Sequence, residues 1–360
     1  MSTEPPRGLR VLAWPSGEPA RENPHIAGLY AGLRARGWTI ESFTRRRLVT
    51  GRHDIFHMHW PEYAVARGSA VVAAWRALVL LAAMWVARRR GTRVVWMVHN
   101  LHPHEARHPR LLRAYRTVVN RLVDATVNLS RAGADDVRAT YPVLARRPAF
   151  VVPHAEYTGA YPPAPDRDEE RARLGVPPGA PLLLFFGQIR GYKGTHELLD
   201  AFAGWERPDA RLVVAGRPAG AALRAELEAL ARHDGRIDLR LGFVEEDEVP
   251  ALFGPCDLVV LPYRRILNSG AALLALSFAR PVLVPASAQF AELGHGVGPG
   301  WVLEYDGPLT AAALAAGAKA AAAVREARPD LSAHAWPRVV EQTAEALAAA
   351  AQARRPVPAP

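Results

Sequence analysis

The regular alternation of short apolar strands with helices, which occurs twice along the 360 residues, constrains the fold most strongly. The first series begins with RVLAW (10–14) and continues through WTIESF, DIFHMHW, TRVVWMVHN, ATVNLS and AFVVPHAEY. The second begins with LLLFFG (182–187) and continues through RLVVAG, IDLRLGFV, DLVVLPY, PVLVPA and WVLEY. Apolar, β-branched strands separated by helices predict parallel sheets covered on both faces. We therefore expect an α/β protein with two Rossmann-like halves.

The proline-rich segment 158–181 separates the two series, and its polar composition predicts a linker with few core contacts. We accordingly expect an N-terminal domain over 1–157 and a C-terminal domain over 182–330, followed by a last helix over 331–353 and a tail over 354–360. Ligands of such sheets bind at the carboxyl ends of the strands. The sequence therefore predicts a site in a cleft between the two halves.

The net charge of +10 is divided unevenly between the halves. Residues 1–150 hold 24 arginines against 10 acidic residues, whereas residues 151–360 hold 21 basic and 25 acidic residues. An excess of arginine predicts an anionic partner for the first half, either an acidic membrane surface or a nucleic acid. Interleaved aromatic stacking motifs are absent from the sequence, so we expect no nucleic acid.

The apolar run 69–87, SAVVAAWRALVLLAAMWVA, has the length of a membrane span. Arg76 near its middle and the strands that flank it closely favour a buried crossover helix of the α/β domain. The run and its neighbouring arginines also fit peripheral contact with an anionic membrane surface. Since the N-terminus lacks a signal-peptide pattern and Cys256 is the only cysteine, we expect a cytoplasmic protein at the inner face of the cell membrane.

The segment LLLFFGQIRGYKGTHELLDAF, 182–202, predicts an anion site. A strand ends at Gly187, a loop presents Arg190 and Lys193, and a helix follows. Lys193 is one of only two lysines among 45 basic residues, which suggests a position that needs a compact ammonium. Backbone amides at a helix start, together with two cations, suit a diphosphate. The alternative is an ordinary turn with exposed cations; the Walker and GxGxxG patterns are absent.

A second helix start in the same half has similar properties. Asn268, Ser269 and Gly270 follow the strand DLVVLPY and precede the helix SGAALLALSFA. Their amides and the serine hydroxyl are suited to another phosphate oxygen. The alternative is a plain N-cap, which asparagine or serine supplies without any ligand.

Together the strand–GxxRxYKG–helix order, LGFVEEDEVPALFGPCDLVVLPYR and SGAALLALSFARPVLVP resemble the donor-binding domain of GT-B glycosyltransferases. The likeness is greatest to the branch near families four and ninety-four, which includes bacterial mannosyltransferases of exopolysaccharide synthesis. Through DIFHMHWPE and VVWMVHNLHPHE it extends over most of the chain. The resemblance implies two domains facing each other across a cleft, with Arg190 and Lys193 on the donor diphosphate, Ser269 and Gly270 at a phosphate, and Phe243 and Val244 beside the nucleobase. It also implies that the helix opened by Trp336 crosses back onto the first domain.

One departure from the family pattern bears on the stereochemistry. Retaining family-four enzymes carry two glutamates ahead of the helix-ending proline, and counting back from Pro281 places Leu274 and Ile266 at those positions. The missing carboxylates favour an inverting, family-ninety-four-like enzyme and leave recognition of the ribose unassigned.

Histidines and carboxylates after the first-half strands are candidates for the acceptor side. We expect His57 to be a core residue and His59 and His99 to hydrogen-bond sugar hydroxyls. We expect no metal, because the histidines are spread over loops without ligand spacing. An inverting transfer needs a general base. The candidates are Glu62, Glu105, His102, His25 and Glu22, with Glu62 and Glu105 favoured because a partly desolvated carboxylate has a raised pKa.

The sequence therefore predicts a glycosyltransferase that moves mannose or a similar hexose from a nucleotide-diphosphate sugar to an acceptor hydroxyl. The sugar nucleotide, with GDP-mannose first, is a co-substrate, and no bound cofactor is expected. The expected acceptor is a glycan, a lipid-linked glycan or a small molecule. The alternative is a non-catalytic basic module that binds anionic lipid or nucleic acid.

Overall fold

The computed structural model describes residues 8–16, 24–101, 107–264 and 267–353. The chain divides into two compact units, the first formed by residues 1–155 with 333–360 and the second by residues 156–332. Each unit contains its own six-stranded sheet in which all neighbouring strands are parallel. The predicted α/β class is therefore confirmed.

The first unit has the strand order β2-β1-β3-β4-β5-β6. Right-handed crossovers place α1 on one face of this sheet and α2 to α5 on the other. Apolar side chains of the strands, of α1 and of the last helix form its core. The elements of this unit are β1 (Arg10–Trp14), α1 (Pro24–Ala35), β2 (Thr39–Ser42), α2 (Arg45–Thr50), β3 (Ile55–Met58), α3 (Ala70–Arg89), β4 (Arg93–Val98), α4 (Pro109–Leu122), β5 (Ala125–Asn128), α5 (Arg131–Thr140), β6 (Ala149–Val151) and, at the end of the chain, α13 (Trp336–Gln352).

The last helix belongs to the first unit because it packs against α1. A Cβ at Gly28 of α1 would lie 2.4 Å from the Trp336 ring, so only glycine fits beneath the indole. The guanidinium of Arg93 on β4 also donates to the carbonyl oxygens of Ala351 and Ala353 at the other end of α13. Both ends of α13 are thus fixed to this unit.

The second unit has the strand order β12-β11-β10-β7-β8-β9. Its chain runs outward from β7 to β9 and then returns to the other side of β7, so the order reverses between β7 and β10. Its elements are α6 (Arg167–Arg173), β7 (Leu182–Phe186), α7 (Thr195–Ala203), β8 (Arg211–Ala215), α8 (Ala221–Ala231), β9 (Ile237–Arg240), α9 (Val249–Phe253), β10 (Leu258–Val260), α10 (Gly270–Ser277), β11 (Val282–Pro285), α11 (Ala288–Val297), β12 (Val302–Tyr305) and α12 (Ala311–Ala322).

The segment 158–181 differs from the predicted linker with few core contacts. It contains α6, and the guanidinium groups of Arg167 and Arg171 lie 2.5 and 3.0 Å from the carboxylate oxygens of Asp257. The same carboxylate accepts a hydrogen bond of 2.9 Å from the Leu182 amide at the start of β7. The segment therefore packs on the second unit, because its arginines find a partly buried carboxylate far along the chain.

Only about a third of the apolar helix α3 is buried, which corrects the expectation of a buried crossover helix. It does connect the parallel neighbours β3 and β4, and one of its faces packs in the unit through Ala73, Ala77, Leu80, Ala83, Met84 and Ala87. The opposite face is exposed. By length and composition α3 is the one helix in the described part of the chain that could cross a bilayer.

Candidate active site

The loop between β7 and α7 in the second unit is held in a fixed, glycine-dependent shape. After Gly187, with φ of +117°, a 3-10 turn spans Gly191–Lys193, and Gly194 adopts a left-handed conformation with φ of +69° directly before α7. A Cβ at Gly194 would lie 2.0 Å from the carbonyl oxygen of Pro262. The loop therefore rests against the segment that follows β10, which only glycine permits.

Lys193 of this loop lies over an aromatic ring. Its Nζ is 5.3 Å from the ring centroid of Tyr263, a distance at which the ring face attracts a cation. Burial, and next the positive charge of Arg190, lower the pKa of Lys193 to about 8. An ammonium that is desolvated and close to another cation gains strongly from an anionic ligand. This is the electrostatic environment expected of a phosphate site.

The second predicted helix start meets the first at Tyr263. The Ser269 hydroxyl accepts a hydrogen bond of 3.0 Å from the Ala272 amide as the N-cap of α10, which begins at Gly270. Ser269 is also hydrogen-bonded to the Tyr263 side chain. Lys193 and the start of α10 are therefore joined by one buried tyrosine. The N-cap interpretation holds for the serine side chain, and the helix start still points its first amides outward from the same place.

These groups lie where the strand order of the sheet reverses. Gly187 follows β7, Gly216 follows the neighbouring β8, and Tyr263 follows β10 on the other side of β7. A Cβ at Gly216 would lie 1.8 Å from the carbonyl oxygen of Gly187, so two glycines make the close approach of the loops possible. The carboxyl edge at such a reversal is where open α/β sheets bind ligands.

Other predicted donor residues lie along the same strand edge but make different contacts. Arg190 donates to the Gln188 side chain over 3.3 Å. Phe243, beyond the end of β9, is 70% exposed, whereas Val244 packs partly on the core. Asn268 directly precedes the N-cap of α10. Arg264 is held by Glu197 of α7.

In the first unit, histidines at the carboxyl ends of β3 and β4 form a hydrogen-bonded chain with Tyr30 of α1. The Tyr30 hydroxyl is 2.8 Å from His57 Nδ1 and 2.8 Å from His59 Nε2. His59 Nδ1 is in turn 2.8 Å from His99 Nε2. Three elements that are distant in the sequence are thereby joined through neutral rings.

The direction of the protons along this chain follows from its buried end. His57 Nε2 is buried with no hydrogen-bond partner among the described residues. An unpaired acceptor there costs less than an unpaired N–H, so His57 Nδ1–H donates to Tyr30, Tyr30 donates to His59, and His59 donates to His99. This order places the ring proton of His99 on Nδ1.

The roles predicted for these histidines separate in the structure. His57 is a core residue, as predicted. His59 is buried and uses both ring nitrogens within the chain, so a sugar hydroxyl finds no free ring nitrogen on it. The expectation of sugar binding by His59 is wrong for this physical reason. His99 is partly exposed and stacks on Trp60 with ring centroids 4.6 Å apart, so it keeps that candidate role.

A second pair of histidines stacks beside the chain. The rings of His25 and His154 are 3.7 Å apart, and the Trp336 ring lies 5.8 Å from His25. Burial lowers the pKa of His57 and of His99 to about 3 and that of His154 to about 4, and it holds the pKa values of His25 and His59 well below the ordinary range. Within the described ranges, no group of three potential ligand residues is arranged to hold a metal ion.

Glu62 lies in the turn after β3, and its surroundings are those of a buried ion pair. The residue is 7% exposed, and its carboxylate is 3.4 Å from the guanidinium of Arg116, which lies over the Trp96 ring. Burial raises the pKa of Glu62, and the charge of Arg116 opposes that rise. The pKa of Glu62 is thus raised as expected. The cause is burial, although the carboxylate is paired with Arg116 of α4. Of the other candidates for the base, His25 is buried and stacked on His154, and Glu105, His102 and Glu22 lie outside the described residues.

Three connecting residues were not recognised from the sequence. Tyr263 follows a strand and precedes two arginines, and a tyrosine at such a position does not by itself indicate a ligand site. Tyr30 occupies an inward position of an amphipathic helix, which ordinarily indicates packing alone. Arg116 is one of many arginines in a basic half. The one sequence signal that could have identified a connecting residue is the position of Tyr263 directly after a strand of the same sheet as the glycine-rich loop.

Comparison with known proteins identifies the family. The family described as "Glycosyl transferases group 1" matches residues 166–300. GDP-mannose:glycolipid 4-beta-D-mannosyltransferase of Xanthomonas campestris pv. campestris is 36% identical over 327 residues, covering 89% of this chain and 86% of that protein. D-inositol 3-phosphate glycosyltransferase of Kineococcus radiotolerans is 33% identical over 163 residues, covering 42% of this chain and 37% of that protein.

Solved structures show the same fold at low sequence identity. Sucrose-phosphate synthase from Thermosynechococcus elongatus matches with a TM-score of 0.63 at 17% identity, covering 95% of this chain and 94% of that chain. Anabaena Alr3699/HepE in complex with UDP-glucose matches with a TM-score of 0.60 at 17% identity, covering 96% and 97%. Together with the two parallel sheets, these matches show that the chain belongs to the glycosyltransferases and has the GT-B fold.

Proposed function

We propose that this glycosyltransferase moves mannose from GDP-mannose to a hydroxyl group of a lipid-linked glycan. The observation that carries the proposal is the convergence of Lys193 and the start of α10 on Tyr263, at the strand reversal of the second unit. The choice of donor and acceptor rests on the Xanthomonas relative, whose name specifies GDP-mannose and a glycolipid. None of the similar proteins supports a non-catalytic basic module.

On the donor side, the proposed role of the second unit is to stabilise the leaving diphosphate. Lys193 and Arg190 supply positive charge where negative charge develops as the glycosidic bond breaks, and the amides at the starts of α7 and α10 add fixed dipoles. Phe243 and Val244 are proposed to lie beside the nucleobase. With these groups neutralising the diphosphate, the proposed transfer requires neither a bound metal nor another cofactor.

On the acceptor side, we propose that His99 hydrogen-bonds a sugar hydroxyl and that a separate general base activates the attacking hydroxyl. Transfer by inversion is proposed because Leu274 of α10, which occupies one position of the glutamate pattern, is an apolar residue buried in the core of the second unit. A beta linkage, as in the name of the relative, is what an inverting enzyme makes from an alpha-linked donor. Glu105 and His102 are the preferred bases, since Glu62 already neutralises Arg116.

The first experiment is isothermal titration of the full chain with GDP, UDP and GDP-mannose. We expect GDP and GDP-mannose to bind, and Lys193→Ala to weaken both at least about tenfold, the effect of losing one charged hydrogen bond. Lys319→Ala, at the other lysine of the chain and exposed on α12, is the matched control and should leave binding unchanged. Failure of all three nucleotides to bind, or equal binding by Lys193→Ala, contradicts the donor site.

The second experiment tests transfer itself. The full chain is incubated with GDP-mannose and a lipid extract that contains sugar-diphosphate lipids, and mannose transfer to the lipid phase is measured together with the configuration of the new linkage. We expect a beta-linked mannose. An alpha linkage would show retention and would contradict the inverting assignment while leaving the donor site intact.

A further inference from the structure

An apolar stripe runs along the exposed face of α3. Val71, Trp75, Leu78 and Trp85 are 78%, 67%, 62% and 52% exposed. Their spacing of three, four or seven residues places them on one face of the helix, opposite the alanine-rich face that packs in the core. These four residues are called the α3 stripe below. A contiguous apolar surface of this kind marks an interaction site, because monomeric proteins rarely expose one.

The chemistry of the α3 stripe fits the interface of a lipid bilayer. Two of its four members are tryptophans, which combine an apolar ring with an N–H donor and concentrate at membrane–water boundaries. The Arg89 guanidinium at the end of the helix lies 4.7 Å from the Trp85 ring centroid, so a cation accompanies the second tryptophan.

The helices beside the stripe are rich in arginine. The neighbouring helices α2 and α4 pack against α3 on the same side of the sheet, and none of the three helices contains an acidic residue, while they carry three, three and four arginines. Arg47, Arg88 and Arg116 are paired with acidic residues of other elements. Other arginines of α2 and α4 are exposed: Arg45, Arg46, Arg110, Arg113 and Arg121.

We propose that the α3 stripe inserts into the headgroup region of a bilayer that contains anionic lipid, while exposed arginines of α2 and α4 contact the lipid phosphates. The occupant follows from charge complementarity, since an apolar stripe with a basic border matches an apolar layer with an acidic surface. The biological reason for this docking rests on the proposed function, because a lipid-linked acceptor presents its sugar at such a surface.

The geometry of α3 argues for docking along the surface. One face of the helix is buried and α3 packs on β4, so the helix lies on the sheet and exposes its opposite side. A second copy of the chain is a poor match for this surface, because it would bring arginine-rich helices against their own copies.

The test is co-sedimentation of the full chain with vesicles of phosphatidylcholine alone or mixed with phosphatidylglycerol. We expect binding to the mixed vesicles that weakens as salt is raised. The triple variant Trp75→Ser, Leu78→Ser, Trp85→Ser should lower the partition coefficient at least about tenfold, because it removes most of the buried apolar area. Arg110→Gln with Arg113→Gln should lower it by about fivefold per charge.

Matched controls lie in the second unit. Leu230→Ser removes a half-exposed apolar side chain of α8, and Arg232→Gln removes an exposed charge at its end; neither should change vesicle binding. Circular dichroism establishes that each variant is folded. A wild-type chain that does not bind mixed vesicles overturns the proposal, and so does a triple variant that binds as well as the wild type.

Two further measurements separate the alternatives. Sedimentation velocity without lipid tests self-association: a wild-type dimer that the triple variant converts to a monomer would make the α3 stripe a contact between copies and overturn membrane docking. Vesicle binding requires neither donor nor turnover. Loss of vesicle binding with intact GDP binding would therefore reject only this inference, whereas the reverse result would reject only the donor site.

Discussion

At the scale of single residues, the proposed donor site contains a lysine that loses its charge at a lower pH than an ordinary lysine does. Burial and the neighbouring Arg190 lower the pKa of Lys193 to about 8. The ammonium is therefore mostly charged below pH 8 and mostly neutral above it, whereas a solvent-exposed lysine stays charged up to about pH 10. The proposed role of Lys193 would couple donor affinity to pH through one side chain.

We expect kcat/KM for the donor to fall about tenfold per pH unit above pH 8, since this ratio reports the ionisation of the free enzyme. In Lys193→Arg the guanidinium stays charged, so activity should be lower but the decline near pH 8 should disappear. Steady-state kinetics between pH 6 and pH 10 measure both variants. A decline that persists unchanged in Lys193→Arg would assign it to another group.

Asp257 has a structural role of comparable weight. Burial alone would raise the pKa of its carboxyl, but the Leu182 amide and the guanidinium groups of Arg325, Arg171 and Arg167 hold the pKa below its usual value. This single carboxylate connects α6 and the turn after α12, which contains Arg325, to the starts of β7 and β10.

Asp257→Asn should lower the free energy of unfolding of the second unit by about 3 kcal/mol, because it leaves partly buried arginines without their counter-charge. Urea denaturation monitored by tryptophan fluorescence measures this change. Asp209→Asn removes an exposed partner of Arg207 and is the matched control, for which we expect little change. Equal stability of the two variants would show that α6 is not held by its ion pairs.

At the scale of elements, the loop from β7 to α7 provides two glycines with different requirements. Gly194→Ala places a Cβ 2.0 Å from the Pro262 carbonyl oxygen at a positive φ, whereas a Cβ at Gly191 meets no atom within 4 Å. We expect Gly194→Ala to cost about 1–3 kcal/mol of stability and to abolish GDP binding by displacing the loop. Gly191→Ala should bind GDP normally. Thermal unfolding and isothermal titration test both; normal GDP binding by Gly194→Ala would contradict the assigned loop.

The elements also show what a sequence can and cannot specify. Both sheets and the donor loop were predictable, because alternation of strands and a glycine–lysine loop are local patterns. The chain from His57 through Tyr30 and His59 to His99 was not, because it joins α1, β3 and β4 across the sheet. The same limit applies to 158–181, whose arginines meet Asp257 more than 80 residues away. A helix with apolar residues on every side, such as α3, does not reveal from its sequence which side packs on the sheet.

At the scale of the whole molecule, the two units differ in how acid affects them. The first unit contains five buried or partly buried histidines whose pKa values are lowered mainly by desolvation: His25, His57, His59, His99 and His154. An unfolded imidazole has a pKa near 6.5. Below that pH the imidazoles of the unfolded chain bind protons, whereas those of the folded unit stay neutral, so the free energy of unfolding falls.

We expect the free energy of unfolding of the first unit to be nearly constant above pH 6.5 and to fall between pH 6.5 and 4.5. Each buried imidazole contributes up to about 1.4 kcal/mol per pH unit. Urea denaturation at a series of pH values measures the slope of the unfolding free energy against pH. His154→Gln should reduce this slope by the equivalent of one proton. His233→Gln, at an exposed position of the second unit, should not. A flat profile would contradict neutral buried histidines.

The scarcity of lysine has a consequence for chemical reactivity. With only Lys193 and Lys319 in the chain, acylating reagents meet two side-chain amines. At pH 8 about half of the Lys193 population is the nucleophilic free amine, because its pKa is about 8, whereas an ordinary lysine is almost fully protonated there. Lys193 is therefore a natural attachment point for a covalent reporter, and a bound nucleotide would shield it from labelling.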